Sequence, residues 1–468
     1  MVFSSAIFLF CFLPVVFLLY QLPFGRRWQN LLLATASLLF YAFGNLNYVP
    51  LFLCSILLNY VTGLLLGRRF LHSRIVITIN ILLNLAILCA YKYTDFIIGN
   101  VNSLFGLQLQ PVGLILPIGI SFFTFQGLSY TIDVYRCPEE YSPGFLKLLL
   151  YISFFPQLIA GPIVRWGDIS AQIDNRLCTV ERTSAGIRRF IVGLSKKLLL
   201  ADAAAIAVDA VFSTSVVDSR LAWLGGICYT LQIYYDFSGY SDMAIGMGKM
   251  FGFNIKENFL FPYTAVSIRD FWRRWHISLS SWFREYLYFP LGGNRKGRLR
   301  ATLNRLIVFF CTGLWHGANW TFVLWGLGHG LLSSLEGSSI LPIDRLQKSV
   351  PGRIVCRLYT MLSVMLLFTL FRADTLAQGF GMIGAMFSFQ ALPAAGLLLA
   401  KLSSPSMIVI CCAALFLSLN RAGCFVHQWL TAEGVKELFP DLCCLLLLML
   451  SVMSLAQSGF HPFIYFQF

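Results

Sequence analysis

A chain of 468 residues that is 57% hydrophobic and only 12% charged is neither a soluble globular enzyme nor a disordered segment. Soluble domains carry about 25% charged residues. The net charge of +14 does not mark a nucleic-acid binder, because no DNA- or RNA-binding module is legible. Basic loops facing anionic membrane lipids produce the same excess.

Apolar runs recur along the chain: Ser5–Tyr20, Asn30–Phe43, Tyr48–Leu66, Ile75–Tyr91, Val112–Ile132 and Phe145–Ile163, then Phe190–Phe212, Leu221–Phe253, Leu306–Leu332, Leu358–Phe371, Met407–Leu419 and Leu442–Leu455. At roughly 20 residues per crossing they predict an all-α polytopic membrane protein with about eleven to thirteen membrane segments. The first run has no basic leader or small-residue cleavage site and reads as an anchor. Arg26 and Arg27 follow it, and Arg68, Arg69 and Arg74 follow the third run. The positive-inside rule then places the N-terminus outside. Breaks such as Leu116-Pro-Ile-Gly119 need protein or water around them and suggest cavity-lining pieces.

Within the Leu221–Phe253 run, Asp236 and Asp242 are acidic groups at membrane depth. They predict an ion pair, with an arginine for instance, or a polar tunnel. The stretch 256–305 is richer in polar residues. In it, Arg269–Leu287 interleaves arginines with Trp and aliphatic residues, as an amphipathic helix in the interface plane does. Two basic clusters stand out, Arg269, Arg273, Arg274 and Arg284, then Arg295, Lys296, Arg298 and Arg300. Together they suit a polyanionic substrate. Next come the 27 residues Leu306–Leu332, with no Asp, Glu, Lys or Arg and with His316 near the middle. An imidazole at that depth is expensive and is a functional candidate. On a continuous helix, Asn319 and Trp320 share its face, whereas His329, 13 residues on, points elsewhere. His72, His427 and His461 lie near span ends. The thirteen cysteines form no zinc spacing and no C-x-x-C, so no metal is expected, and whether Cys137 and Cys178 pair stays open.

The ordered set Asn254-Ile-Lys-Glu-Asn-Phe259, Arg269-Asp-Phe-Trp-Arg-Arg-Trp-His276 and Trp315-His-Gly-Ala-Asn-Trp320 resembles the membrane-bound O-acyltransferase family. So do Pro117–Phe125, Ile132–Arg136, Ala160–Ile163, Tyr235–Met243 and Phe463–Phe468. The likeness is greatest to the branch that O-acetylates bacterial polysaccharides. It covers nearly the whole chain as one membrane domain, 1–468, and is densest over 113–336. The resemblance implies a ring of tilted helices around a central tunnel, in the bacterial inner membrane. It makes His316 the catalytic histidine and His276 the second site residue. Asn319, Trp315, Trp320, Asp236, Arg273 and Arg274 would support them or bind substrate, and Arg295, Lys296 and Arg298 would bind the donor. The implied donor is cytoplasmic acetyl-CoA. The acetyl group would cross to an exopolysaccharide of alginate or cellulose type through a periplasmic acetyltransferase partner in a polysaccharide-synthesis complex. Peptidoglycan O-acetylation and teichoic-acid D-alanylation are alternatives within the family. From another class, a transporter or flippase with a proton-relay histidine also suits Gly/Pro-interrupted helices, although no inverted repeat is visible.

Overall fold

The computed structural model describes residues 1–68, 72–140, 144–159, 161–338, 340–419, 421–434, 438–458 and 463–464. Arg69, Ala160, His461 and the last four residues therefore lie outside the described residues. Every regular element among the described residues is helical. The chain divides into two compact units, 1–190 with 243–256 and 433–435, and 191–242 with 257–432 and 436–468.

Among the described residues, four stretches are long and apolar enough to cross a membrane: Gly25–Gly67, Ser73–Lys92, Val350–Arg372 and Leu438–Gln457. The bent pair Pro393–Leu402 and Met407–Leu419 makes a fifth if it counts as one span. The stretch Gly25–Gly67 itself holds two helices, Gly25–Asn45 and Val49–Gly67, and several other apolar runs are not single long apolar helices. Phe145–Ile163 breaks at Phe154 into Phe145–Ser153 and Phe155–Leu158. Leu306–Leu332 breaks after His316. The run at 221–253 forms one helix, Ser219–Met250, but carries Asp236, Asp242 and Lys249.

In the first unit, buried asparagines join apolar helices. Asn80 Nδ2 donates to Thr62 Oγ1 at 2.9 Å and to Asn59 Oδ1 at 3.2 Å, and Thr131 Oγ1 donates to Asn80 Oδ1 at 3.0 Å. Three helices, Val49–Gly67, Ser73–Lys92 and Ile120–Arg136, are thereby held by polar side chains. Inside a membrane, apolar faces gain little by meeting each other, so such bonds and close packing hold helices together. The same unit contains Cys137 and Cys178, and both are free thiols.

The second unit is organised around a helical hairpin, Gly297–His316 and Trp320–Gly337. Glycines let its backbones touch. A Cβ on Gly313 would sit 2.4 Å from the Phe322 carbonyl oxygen, and one on Gly326 would sit 2.3 Å from that of Phe309. Both obstacles are backbone, so neither position accepts a side chain without separating the helices. The hairpin packs on the short helix Ile268–Arg274, whose first amides donate to the buried Glu336 carboxylate, Ile268 N at 2.7 Å and Arg269 N at 3.0 Å. A carboxylate there satisfies unpaired helix N–H groups and complements the helix dipole.

Candidate active site

The expected amphipathic helix over Arg269–Leu287 is broken in the middle. Ile268–Arg274 ends at Trp275, and Ile277–Phe283 begins after His276, which is left-handed at φ 43°, ψ 54°. A non-glycine residue there is strained and must be held by its surroundings. Two backbone bonds hold it, Leu260 N to Arg274 O at 2.9 Å and Ile277 N to Asn258 O at 3.0 Å. The break turns His276 inward, and it is fully buried rather than interfacial.

Asn258 fixes the His276 ring. Its Oδ1 accepts from Ser278 N at 3.1 Å and Ser278 Oγ at 2.8 Å, and lies 3.2 Å from His276 Nδ1. A backbone N–H only donates, so that Asn258 atom is the oxygen and Nδ1 carries the proton. Nε2 then holds the lone pair. His276 lies outside the spanning stretches, and burial pushes its imidazolium down to about 3. Unfolded, the same ring takes up a proton near pH 6.5. Its folded value is depressed, so folding stability falls as pH drops below 6.5, by at most about 1.4 kcal/mol per pH unit. His276→Asn should flatten the thermal-midpoint slope between pH 7 and 5 in detergent. An unchanged slope would show that this ring is protonated in the folded chain.

His316 ends the Gly297–His316 helix and is buried. Its ring is boxed by Trp315, Trp325 and Phe371, at centroid distances of 4.9, 5.0 and 5.1 Å. Trp315 also meets the His276 ring at 5.7 Å, so one indole joins the two histidines. Because the helix stops at His316, Asn319 and Trp320 do not share its face. Asn319 instead caps the next helix, accepting from Thr321 N at 3.1 Å and donating to the Asp374 carbonyl at 2.9 Å. Trp320 is 47% exposed. The break also voids the angular argument about His329, which packs 5.2 Å from Trp325. Three histidines thus belong to one aromatic cluster.

Two cavities flank this cluster. One, of about 620 Å³, is lined by Arg269, Arg273, Arg284, Arg298 and Arg305 over an apolar wall that includes Trp272 and Phe309. Thr312, one turn before His316, lines it too. Trp272 packs 5.7 Å from Trp325, which packs 5.0 Å from His316, so two tryptophans in series stand between the cavity wall and His316. Arg269 is committed to Glu336 and Asp344, at 3.5 and 3.1 Å. Arg273, Arg284 and Arg298 have no ion-pair partner among the described residues. The second cavity, of about 310 Å³, is lined by Asn319, Phe322, Phe371, Gln232 and the Lys197 and Asp202 pair. Phe371 is its wall toward His316. Neither cavity is lined by His276 or by His316.

The predicted basic residues divide. Arg273 and Arg298 face the large cavity, whereas Arg295 and Lys296 are exposed beside it. Those two precede the first helical residue, Gly297, and the chain there projects into solvent. Arg274 points away from the cavity and pairs with Asp270 at 2.9 Å. Asp236 is buried, but its partner is a lysine, not an arginine: Lys197 Nζ lies 2.7 Å from both Asp236 Oδ1 and Asp202 Oδ1. Asp242 likewise pairs with Lys196 at 2.6 Å. Sequence reasoning missed Arg305, Asn258 and Lys197. Lys197 had a signal, a charge inside the apolar run 190–212.

A helical, multi-pass membrane protein with three histidines buried in one aromatic cluster near an arginine-lined cavity has the layout of a membrane-embedded group transferase. The membrane-bound O-acyltransferase family model matches residues 138–372. A probable alginate O-acetylase of Azotobacter vinelandii is 38% identical, over the whole of both chains. The peptidoglycan O-acetyltransferase of Helicobacter pylori is 36% identical over 82% of this chain and 80% of its own. The teichoic acid D-alanyltransferase of Bacillus subtilis is 28% identical over 47% of this chain and 59% of its own. The chain belongs to the membrane-bound O-acyltransferase family and is an acyltransferase.

Proposed function

We propose that this chain is an inner-membrane O-acetyltransferase that takes acetyl from acetyl-CoA and serves O-acetylation of an exopolysaccharide, of alginate or cellulose type. The observation that carries the donor is the trio Arg273, Arg284 and Arg298, three arginines without carboxylate partners around one cavity of about 620 Å³. CoA brings several phosphate charges, and arginine forks bind phosphate in bidentate fashion. The apolar wall of Trp272 and Phe309 suits the pantetheine arm, which would lead the thioester toward His316. His316 then acts as general base. It removes the proton of an acceptor hydroxyl as that oxygen attacks the acetyl carbonyl. The tetrahedral intermediate collapses with loss of CoA thiolate, which takes up a proton. His276, bonded to Asn258, braces Trp315, which packs against the His316 ring.

The acceptor enters on the side of the smaller cavity. About 310 Å³ is at the low end of ligand pockets and suits a single acceptor group rather than a polymer. That size favours a periplasmic acetyltransferase partner, within a polysaccharide-synthesis complex, that carries acetyl onward. The full-length likeness to alginate O-acetylases supports the polysaccharide assignment.

Steady-state kinetics on purified protein test the donor assignment. Arg273→Ala, Arg284→Ala and Arg298→Ala together should raise KM for acetyl-CoA at least about 10-fold, since a hydrogen bond to a charged group contributes about 1.5–3 kcal/mol. kcat should change less. Added salt should narrow the gap. A KM unchanged at low salt would remove acetyl-CoA from this cavity.

A further inference from the structure

Adjacent arginines on the Ile268–Arg274 helix serve different cavities. Arg273 lines the one described above, whereas Arg274 lines a separate cleft of about 530 Å³ together with Arg353 and Arg357. We propose that this cleft binds an anionic glycerophospholipid, with the phosphodiester on the three guanidinium groups and the acyl chains along the membrane-spanning helix Val350–Arg372.

The lining contains no carboxylate. Arg274 is partly neutralised by Asp270 and lies 3.4 Å from Thr264 Oγ1. Arg357 donates to the Leu419 carbonyl at the end of the Pro405–Leu419 helix. Arg353 is exposed and has no ion-pair or side-chain hydrogen-bond partner among the described residues. The cleft therefore keeps an uncompensated positive charge. Its walls include Val350, Ile354 and Leu419. Apolar walls do not suit a free phosphate, which needs donors on every side. From the cleft, Ile354, Leu358 and Leu362 follow at i, i+4, i+8 on one face of the helix, and are 57%, 65% and 40% exposed. The helix is long and apolar enough to cross a membrane, so this stripe meets lipid tails. A basic pocket at one end of a spanning helix, continuous with an apolar stripe, recognises an acidic headgroup and its chains together. A zwitterionic headgroup would bring an ammonium against three arginines and is disfavoured.

Native mass spectrometry of the full chain in micelles holding equal phosphatidylglycerol and phosphatidylethanolamine tests this. The wild type should retain phosphatidylglycerol at least about 10-fold over phosphatidylethanolamine. Arg353→Gln, and Arg353→Gln with Arg357→Gln, should abolish that preference, while Arg27→Gln, an exposed arginine elsewhere, should keep it. If the double variant fails to fold, Arg353→Gln alone decides, because its side chain carries no described contact. Equal retention of both lipids by the wild type, or full preference in Arg353→Gln, overturns the proposal. So does complete displacement of the lipid by millimolar glycerol 3-phosphate, which would assign the cleft to a soluble phosphate.

Discussion

His316→Ala should lower acyl transfer by about 10²- to 10⁴-fold, the usual cost of removing a general base, while the chain still inserts and purifies as a single species. The residue ends its helix and is boxed by Trp315, Trp325 and Phe371. Truncation therefore removes ring contacts but leaves the hairpin intact, since the glycine contacts that hold it lie elsewhere, at Gly313 and Gly326. His316→Gln separates the roles: it keeps much of the volume and a polar end but cannot take up a proton near neutral pH. Thioester turnover and acceptor acylation should fall together in both variants. Near-normal acylation by a correctly inserted His316→Gln would remove the general-base role and leave His316 a packing residue.

Lys197→Met should destabilise the chain by about 3–5 kcal/mol, because it strands two buried carboxylates. Asp202 and Asp236 each sit 2.7 Å from the ammonium, and all three groups are buried. The Phe463 ring lies 4.8 Å from the same Nζ, and Asp236 Oδ2 also accepts from Ile464 N at 2.8 Å. The charge thus organises three segments of the second unit. Detergent melting curves should show a large drop in the midpoint. Adding Asp202→Asn and Asp236→Asn should restore most of it, because the neutral trio no longer buries unpaired charge. If Lys197→Met alone melts like the wild type, the triad does not carry this stability.

Much was settled by local chemistry. Low charge and repeated apolar runs gave a helical membrane protein, and the family followed from ordered motifs. His316 stands out as the imidazole inside 27 uncharged residues, and the basic clusters just before it suit a polyanionic substrate. Those inferences rest on quantities that add along the chain: hydropathy, charge and motif order.

Local sequence does not decide where these helices stop. Periodicity and hydropathy predict an unbroken helix through His276 and another through His316. The first breaks because Asn258 and Leu260 pair with Ile277 and Arg274 on either side of His276, partners up to 19 residues away (277 minus 258). The second breaks where Asn319 caps the next helix. Each break resets the 100° step that assigns faces, so Asn319 left the His316 face and His329 joined the same aromatic cluster. Arg273 and Arg274, one 100° step apart on a single helix, face two different cavities, and Asp236 takes Lys197 because the fold brings that ammonium within 2.7 Å. Composition and motif order are properties of the chain by itself. Helix ends, side-chain facing and ion-pair choice are set by distant backbone and side-chain partners, which only the tertiary structure brings together.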